Sequence, residues 1–206
     1  MSLRTAVFLF IVGILPGHSK PPEQAAEKSI KYDVVIIPTE EFPPAEATKV
    51  ATTVANDTGL QIKLVLPLGT RDWEPFPDRP QYDPDTLKIL ALPVVNRLKT
   101  NYGGKVYIIL TSRDIGPPDN SLNFVFTQHD HAQKISVVSV ARMLLGQQGS
   151  PVAQDVIQTR LRKILLRTIA LQYYELKRSA DITDVTYSPL MSVADLDQMG
   201  TRIKTQ

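Results

Sequence analysis

A strand, a helix and a second strand follow one another near the start of the chain, and this order constrains the fold more than any other feature. Tyr32 to Ile37 (YDVVII) is an apolar run stopped by Pro38, the pattern of a strand buried on both faces. Pro43 and Pro44 precede a helical stretch, Ala45 to Asp57, in which Ala47, Val50, Ala51 and Val54 recur at helical spacing. Gly59 is placed to cap its C-terminal end. Leu60 to Leu68 (LQIKLVLPL) alternates as a strand does. A β-α-β unit demands a right-handed crossover and at least one parallel strand pair.

The rest of the chain extends that sheet. Gly69 to Pro80 is rich in proline and charge, contains the single tryptophan, Trp73, and reads as an irregular surface connection. Asp83-Pro84 has the cap-and-first-residue pattern of a helix running to about Lys99, with Pro93 expected to kink or break it. Lys105 to Leu110 (KVYIIL), Asn123 to Thr127 (NFVFT) and Ile135 to Val140 (ISVVSV) are three more predicted strands, the last two joined by a polar segment from Gln128 to Lys134. Ser150-Pro151 is read as the start of a last long helix whose stripe includes Leu161, Ile164, Leu165, Thr168 and Leu171, and whose pattern continues to Lys177. The expectation is a single α/β domain: a mixed sheet of about five strands with packed helices and an irregular C-terminal part.

The first residues read as an export signal. Arg4 supplies the positive start, Ala6 to Leu15 is an apolar run of ten residues, and Gly17 and Ser19 are small residues placed for cleavage. That run is too short for a bilayer, which needs about 20 residues. The expected organisation is a signal peptide over 1–19, a flexible lead-in over 20–31 and the folded domain over 32–206. The mature chain is expected to be exported, to the periplasm or the exterior, with no transmembrane segment.

Cleavage would take Arg4 from the 23 basic residues and none of the 21 acidic ones, so the remaining charge is close to neutral. No basic block or basic helix face stands out, and nucleic acid is not an expected partner. The chain has no cysteine, which excludes disulfides, a thiolate nucleophile and any cysteine-based metal site. Of the three histidines only His129 and His131 lie beyond the signal.

Several phrases in order carry a resemblance. Arg79-Pro80-Gln81-Tyr82, Thr111-Ser112-Arg113-Asp114-Ile115, Asn123-Phe124-Val125-Phe126, Val137-Val138-Ser139-Val140-Ala141-Arg142-Met143, and Arg160 with Lys163 together resemble the archaemetzincins, a metzincin-like family of zinc peptidases. The resemblance covers roughly Asp33 to Gly200 and implies a metzincin-like fold. It also implies a zinc helix carrying H-E-x-G-H-x-x-G-L-x-H, four residues after Lys163. Two histidines four apart would share a helix face and hold zinc, the glutamate would serve as general base, and a glycine turn would bring in a third histidine. Read without a gap, this chain has Arg167, Thr168, Leu171 and Lys177 at the ligand and base positions, and Tyr174 at the glycine. Neither arginine, leucine nor lysine replaces imidazole as a ligand at neutral pH, and threonine is no carboxylate base.

Besides a purely structural envelope protein with neither a preserved pocket nor a ligand, these residues leave two readings. One is a catalytically inactive peptidase homologue, a pseudoenzyme without a metal, in which the resemblance implies an extended peptide or envelope protein binding by strand addition at Phe124 and Phe126. The other is a rebuilt metal-dependent peptidase in which His129 and His131, with a carboxylate such as Asp114, Asp119 or Asp130, hold zinc. His-Asp-His puts both imidazoles on one face if the strand from Asn123 continues; otherwise they are exposed residues of a polar hairpin. Tyr187 to Met191 resembles the turn whose methionine lies beneath the metzincin zinc. Taken alone, Met191 is an apolar residue packed under a loop. Asp195 and Asp197 read as cap and surface residues. Ser136 and Ser139 read as strand residues with at least one facing solvent, and Arg167 with Glu175 as surface charge on an amphipathic helix.

Overall fold

The five strands form one sheet in the order β2-β1-β3-β5-β4: β1 (Val34–Pro38), β2 (Ile62–Leu64), β3 (Val106–Thr111), β4 (Thr127–Asp130) and β5 (Ile135–Ser139). This is a computed structural model, and it describes residues 31–119, 121–146 and 148–203. The expected signal peptide and all but the last residue of the expected lead-in fall outside those residues. All neighbours pair in parallel except β4, which lies antiparallel on β5 at the sheet edge. The sheet is therefore mixed, and the described residues form one α/β domain. Among the described residues no helix is long and apolar enough to cross a membrane.

Every residue of β1, β3 and β5 is buried because helices cover both faces. One face carries Val34, Ile36, Ile108, Leu110 and Val138 against α1 (Pro44–Thr58) and α3 (Gln154–Gln172). The other carries Val35, Ile37, Tyr107, Ile109 and Val137 against α2 (Pro84–Tyr102). Trp73 is buried in this second core, with its indole N–H donating to Asp83 O at 2.8 Å. The segment is the irregular, largely exposed connection expected, with Trp73 and Thr70 as the residues that anchor it in the interior.

Asp83 caps α2 as its sequence predicts, accepting from Asp85 N at 2.9 Å. The helix runs through Pro93 without a break. The carbonyl that proline leaves without a donor is that of Ile89, whose residue is 65% exposed, so water can satisfy it. Other boundaries move. β2 is shorter than Leu60–Leu68, and α3 begins at Gln154 rather than Pro151, which instead bridges Leu145. The edge strand is Thr127–Asp130 and not Asn123–Thr127.

The C-terminal part contains one further helix, α4 (Val193–Gln198), started by a capping box in which Ser192 and Asp195 bond each other's backbone N–H. The side chain of Asp195 caps, as expected. Arg160 on α3 is 3% exposed and pairs with Asp197 through two contacts of 2.7 Å, while it also donates to Met143 O and Leu145 O. Lys163, one turn on, donates to Leu196 O at 3.1 Å and to Asp197 O. The Arg-x-x-Lys phrase thereby straps α4 onto α3.

A cationic cleft between the edge strand and the third helix

The pleat decides which side chains of β4 meet α3. His129 pairs with Ser136 and Thr127 with Val138, and cross-strand partners share a face. Val138 belongs to the core under α3, so Thr127 and His129 point to that side while Gln128 faces α2 and donates to Asp85. Ser139 N bonds Phe126 O at 3.0 Å, which sets the ladder's alternation: Phe126, Gln128 and Asp130 turn their peptide groups toward β5. The peptide N–H and C=O of Thr127 and His129 therefore point away from β5, along the free edge.

Beside this edge lies a cavity of about 330 Å³. Leu122 to Thr127 and His129 form one wall, Arg167 the floor, and Arg178 with Ser188 to Met191 the opposite wall. The motif phrases fix the first wall. Arg142 grips Asp114 with both Nε and Nη2, at 3.0 and 2.6 Å, Gln81 donates to the same carboxylate at 3.1 Å, and Arg79 donates to Pro117 O. Arg142 in turn lies 4.9 Å from the centroid of Phe124, which stands edge-on to Phe126 at 5.2 Å. Both phenylalanines line the cavity, but Phe126 is 3% exposed and belongs to the core, so Phe124 offers the larger surface to a ligand.

The end of α3 differs from a gap-free reading of the zinc motif. The last turn widens, with Tyr174 N bonding Ile169 O at 3.2 Å and Leu176 N bonding Ala170 O at 3.0 Å, five and six residues back. Glu175, at φ 54°, holds a left-handed position of the kind glycine favours, one residue later than Tyr174, where the resemblance puts the glycine of the turn. The residues after it are out of phase by one. Arg178, not Lys177, reaches the cavity, and Lys177 lies beyond the end of the helix. Leu171 is buried and does not line the cavity.

Arg167 is buried, not the surface charge its helical spacing with Glu175 suggested; Glu175 pairs with Lys134 instead. The residue is 6% exposed, and its guanidinium donates from Nε to Tyr187 O at 3.3 Å and has no ion pair among the described residues. Burial, and then the neighbouring charge of Arg178, pull its pKa down to about 10, so it stays charged at neutral pH. Thr168, where the resemblance puts the general base, is fully buried and its hydroxyl has no hydrogen-bond partner among the described residues. An unpaired buried hydroxyl is a net cost. Thr168→Val is expected to raise stability by about 1 kcal/mol, read as a higher denaturant midpoint at unchanged slope.

His129 lies on the strand rather than in a loop, while His131 is exposed in the turn after it, with the rings 5.9 Å apart. Nδ1 of His129 is 2.9 Å from Ser136 Oγ and Nε2 is 3.3 Å from Thr127 Oγ1. Burial first, then Arg167, His131 and Arg178, lower its pKa to about 3, so the ring is neutral. Ser136 and Ser139 are both buried, against the expectation that at least one faces solvent. Met191 is 52% exposed at the cavity rim and is not packed under a loop. Among the described residues no three His, Cys, Asp or Glu side chains converge to hold a metal ion, and neither Asp114 nor Asp130 joins the histidines: Asp114 is taken by Arg142, and Asp130 accepts from Gln133 N. One imidazole with both nitrogens engaged, two guanidiniums and a thioether do not fit zinc.

Models of known protein families do not match the chain, and neither do curated proteins. Solved structures do. The archaemetzincin of Methanopyrus kandleri is 21% identical, with a TM-score of 0.63 over 86% of this chain and 91% of its own. A zinc-dependent peptidase of Methanocorpusculum labreanum is 15% identical, with a TM-score of 0.69 over 83% and 95%. The archaemetzincin of Archaeoglobus fulgidus, solved in complex with malonate, is 18% identical, with a TM-score of 0.61 over 82% and 93%. The fold of this chain is archaemetzincin-like.

Proposed function

We propose that this protein is an exported, catalytically silent archaemetzincin-fold protein that binds extended peptides along the edge of β4. The observation that carries the reading is Arg167 on the cavity floor, at the position of the first zinc ligand, with the Thr168 hydroxyl buried where a base would stand. A guanidinium there opposes a metal ion by charge and offers no lone pair. The free edge supports the binding half: Thr127 and His129 turn their peptide groups outward beside the cavity, the arrangement that strand addition uses. Export rests on the apolar run from Ala6 to Leu15 with Arg4 before it.

Metal content is the first test. Protein purified without a histidine tag and dialysed against trace zinc is expected to carry no stoichiometric metal by elemental mass spectrometry, and to cleave no peptide. Near-stoichiometric zinc with chelator-sensitive cleavage, both lost in His129→Ala, would overturn the reading in favour of a site rebuilt on His129 and His131.

The binding half is tested at the edge itself. Thr127→Pro removes one outward N–H from an edge strand, a place where proline is tolerated. The variant is expected to fold, by unchanged far-ultraviolet dichroism, and to lose at least tenfold in affinity for any peptide the wild type retains. An unchanged affinity would place the peptide elsewhere.

A further inference from the structure

The cleft has the wrong chemistry for a neutral peptide alone. Its floor is Arg167, a residue only 6% exposed, whose one hydrogen bond among the described residues is a long contact from Nε to Tyr187 O. A second arginine, Arg178, stands on the opposite wall and is exposed, and among the described residues no aspartate or glutamate lines the cavity. His129, neutral between two hydroxyls, adds no negative charge. Burying an unpaired cation is unfavourable unless a counter-charge arrives, and an arginine fork matches a carboxylate with two parallel hydrogen bonds.

We propose that this cavity captures the C-terminal carboxylate of an extended peptide, with Arg167 as its principal partner and Arg178 assisting from the rim. The inference rests on the peptide-binding reading above and specifies which end of the peptide is recognised. Three features select a chain terminus. The cavity, at about 330 Å³, lies at the low end of the range of about 300–1,000 Å³ for ligand pockets, which suits a terminal residue better than a chain passing through. The open edge of β4 beside it supplies main-chain partners for the residues before the terminus. Phe124, Leu190 and Met191 line the same cavity and give the last side chain an apolar seat. The peptide that fits is therefore extended, with an apolar last residue and a free carboxylate. The two arginines bring two positive charges to the place where the resemblance puts a divalent cation, so the cleft keeps its sign while its chemistry changes from cleavage to capture.

The test uses two pools of N-terminally labelled octapeptides, randomised in the last four residues, one made as free acids and one as C-terminal amides. Each is passed over the immobilised protein and the retained peptides are read by mass spectrometry. The free acids are expected to be retained at least tenfold over the amides, with apolar last residues enriched. Arg167→Gln is expected to erase that preference, Arg167→Lys to restore part of it, and the exposed Arg178→Gln to weaken it without touching the core, which keeps the test open should Arg167→Gln fail to fold. Equal retention of both pools, lost in Thr127→Pro, would overturn carboxylate capture and leave the peptide-edge reading standing. Retention of amides bearing an internal aspartate or glutamate, dependent on Arg167, would replace the terminus by a side chain and overturn the proposal as stated. No retention of either pool would overturn both.

Discussion

Asp197→Ala is expected to lower stability by about 3 kcal/mol, measured as the drop in unfolding free energy by urea denaturation at neutral pH. Arg160 is 3% exposed, and its bidentate contacts to Asp197, both 2.7 Å, are the only ion pair it makes among the described residues. Removing one partner of a buried pair leaves an uncompensated charge, which typically costs about 3–5 kcal/mol. The lower end applies because the Asp197 side chain is 39% exposed and because Met143 O and Leu145 O still accept from the guanidinium. Asp197→Asn, which keeps an acceptor in place, is expected to cost less than half as much. A loss below about 1 kcal/mol in the alanine variant, the range of an exposed pair, would show that Arg160 reaches water more easily than its burial implies.

The consequence reaches the cleft. α4 is held to α3 by Arg160 and Lys163, and the capping box that opens α4 also ties down Met191, whose N–H donates to Asp195 at 2.9 Å. Releasing Asp197 therefore loosens the wall formed by Ser188 to Met191. The sequence phrase Arg-x-x-Lys was legible as a marker of the fold, yet its task is to dock a short helix that no hydrophobic period announces. The same holds for Gln81, Asp114 and Arg142, which stand in three separate phrases of the resemblance and meet in one hydrogen-bonded cluster behind Phe124. Their spacing in the chain carries no trace of that meeting.

Where local signals were strong the elements are as read. YDVVII, the Asp83-Pro84 cap and Gly59 at φ 70° each place an element because one residue type fits the required backbone or burial. The edge strand was misplaced for an equally local reason. NFVF has the aromatic and β-branched content of a strand, but its side chains are spent on the core and on Arg142, and only Val125 forms a bridge, to Ile115. TQHD has none of that content and forms the strand, because an edge needs polar residues more than it needs alternation. The shift from Lys177 to Arg178 was invisible for a third reason: a widened helical turn inserts a residue without any proline or glycine to mark it. A second arginine eleven residues after the first was the available signal, and alone it had no meaning.

Acid is expected to destabilise the protein through His129, by roughly 2–3 kcal/mol between pH 7 and pH 4.5. The sign follows from the direction of the shift. Burial and the neighbouring cations hold the folded imidazole's pKa at about 3, well below the ordinary value of 6.5. Above pH 6.5 the ring is neutral in both states and contributes nothing to the pH dependence. As the pH falls below 6.5 the unfolded chain takes up a proton that the folded chain refuses, so stability declines until the folded ring titrates near pH 3. His129→Asn removes the titrating group while leaving an amide within reach of Ser136 Oγ. The variant is expected to lose this part of the acid slope, seen as unfolding free energies at pH 7 and 4.5 that lie closer together than in the wild type by about that amount. Equal slopes in the two proteins would mean that the ring is protonated in the folded cleft, beside Arg167 and Arg178. A third cation there is the arrangement that only a bound anion could hold in place.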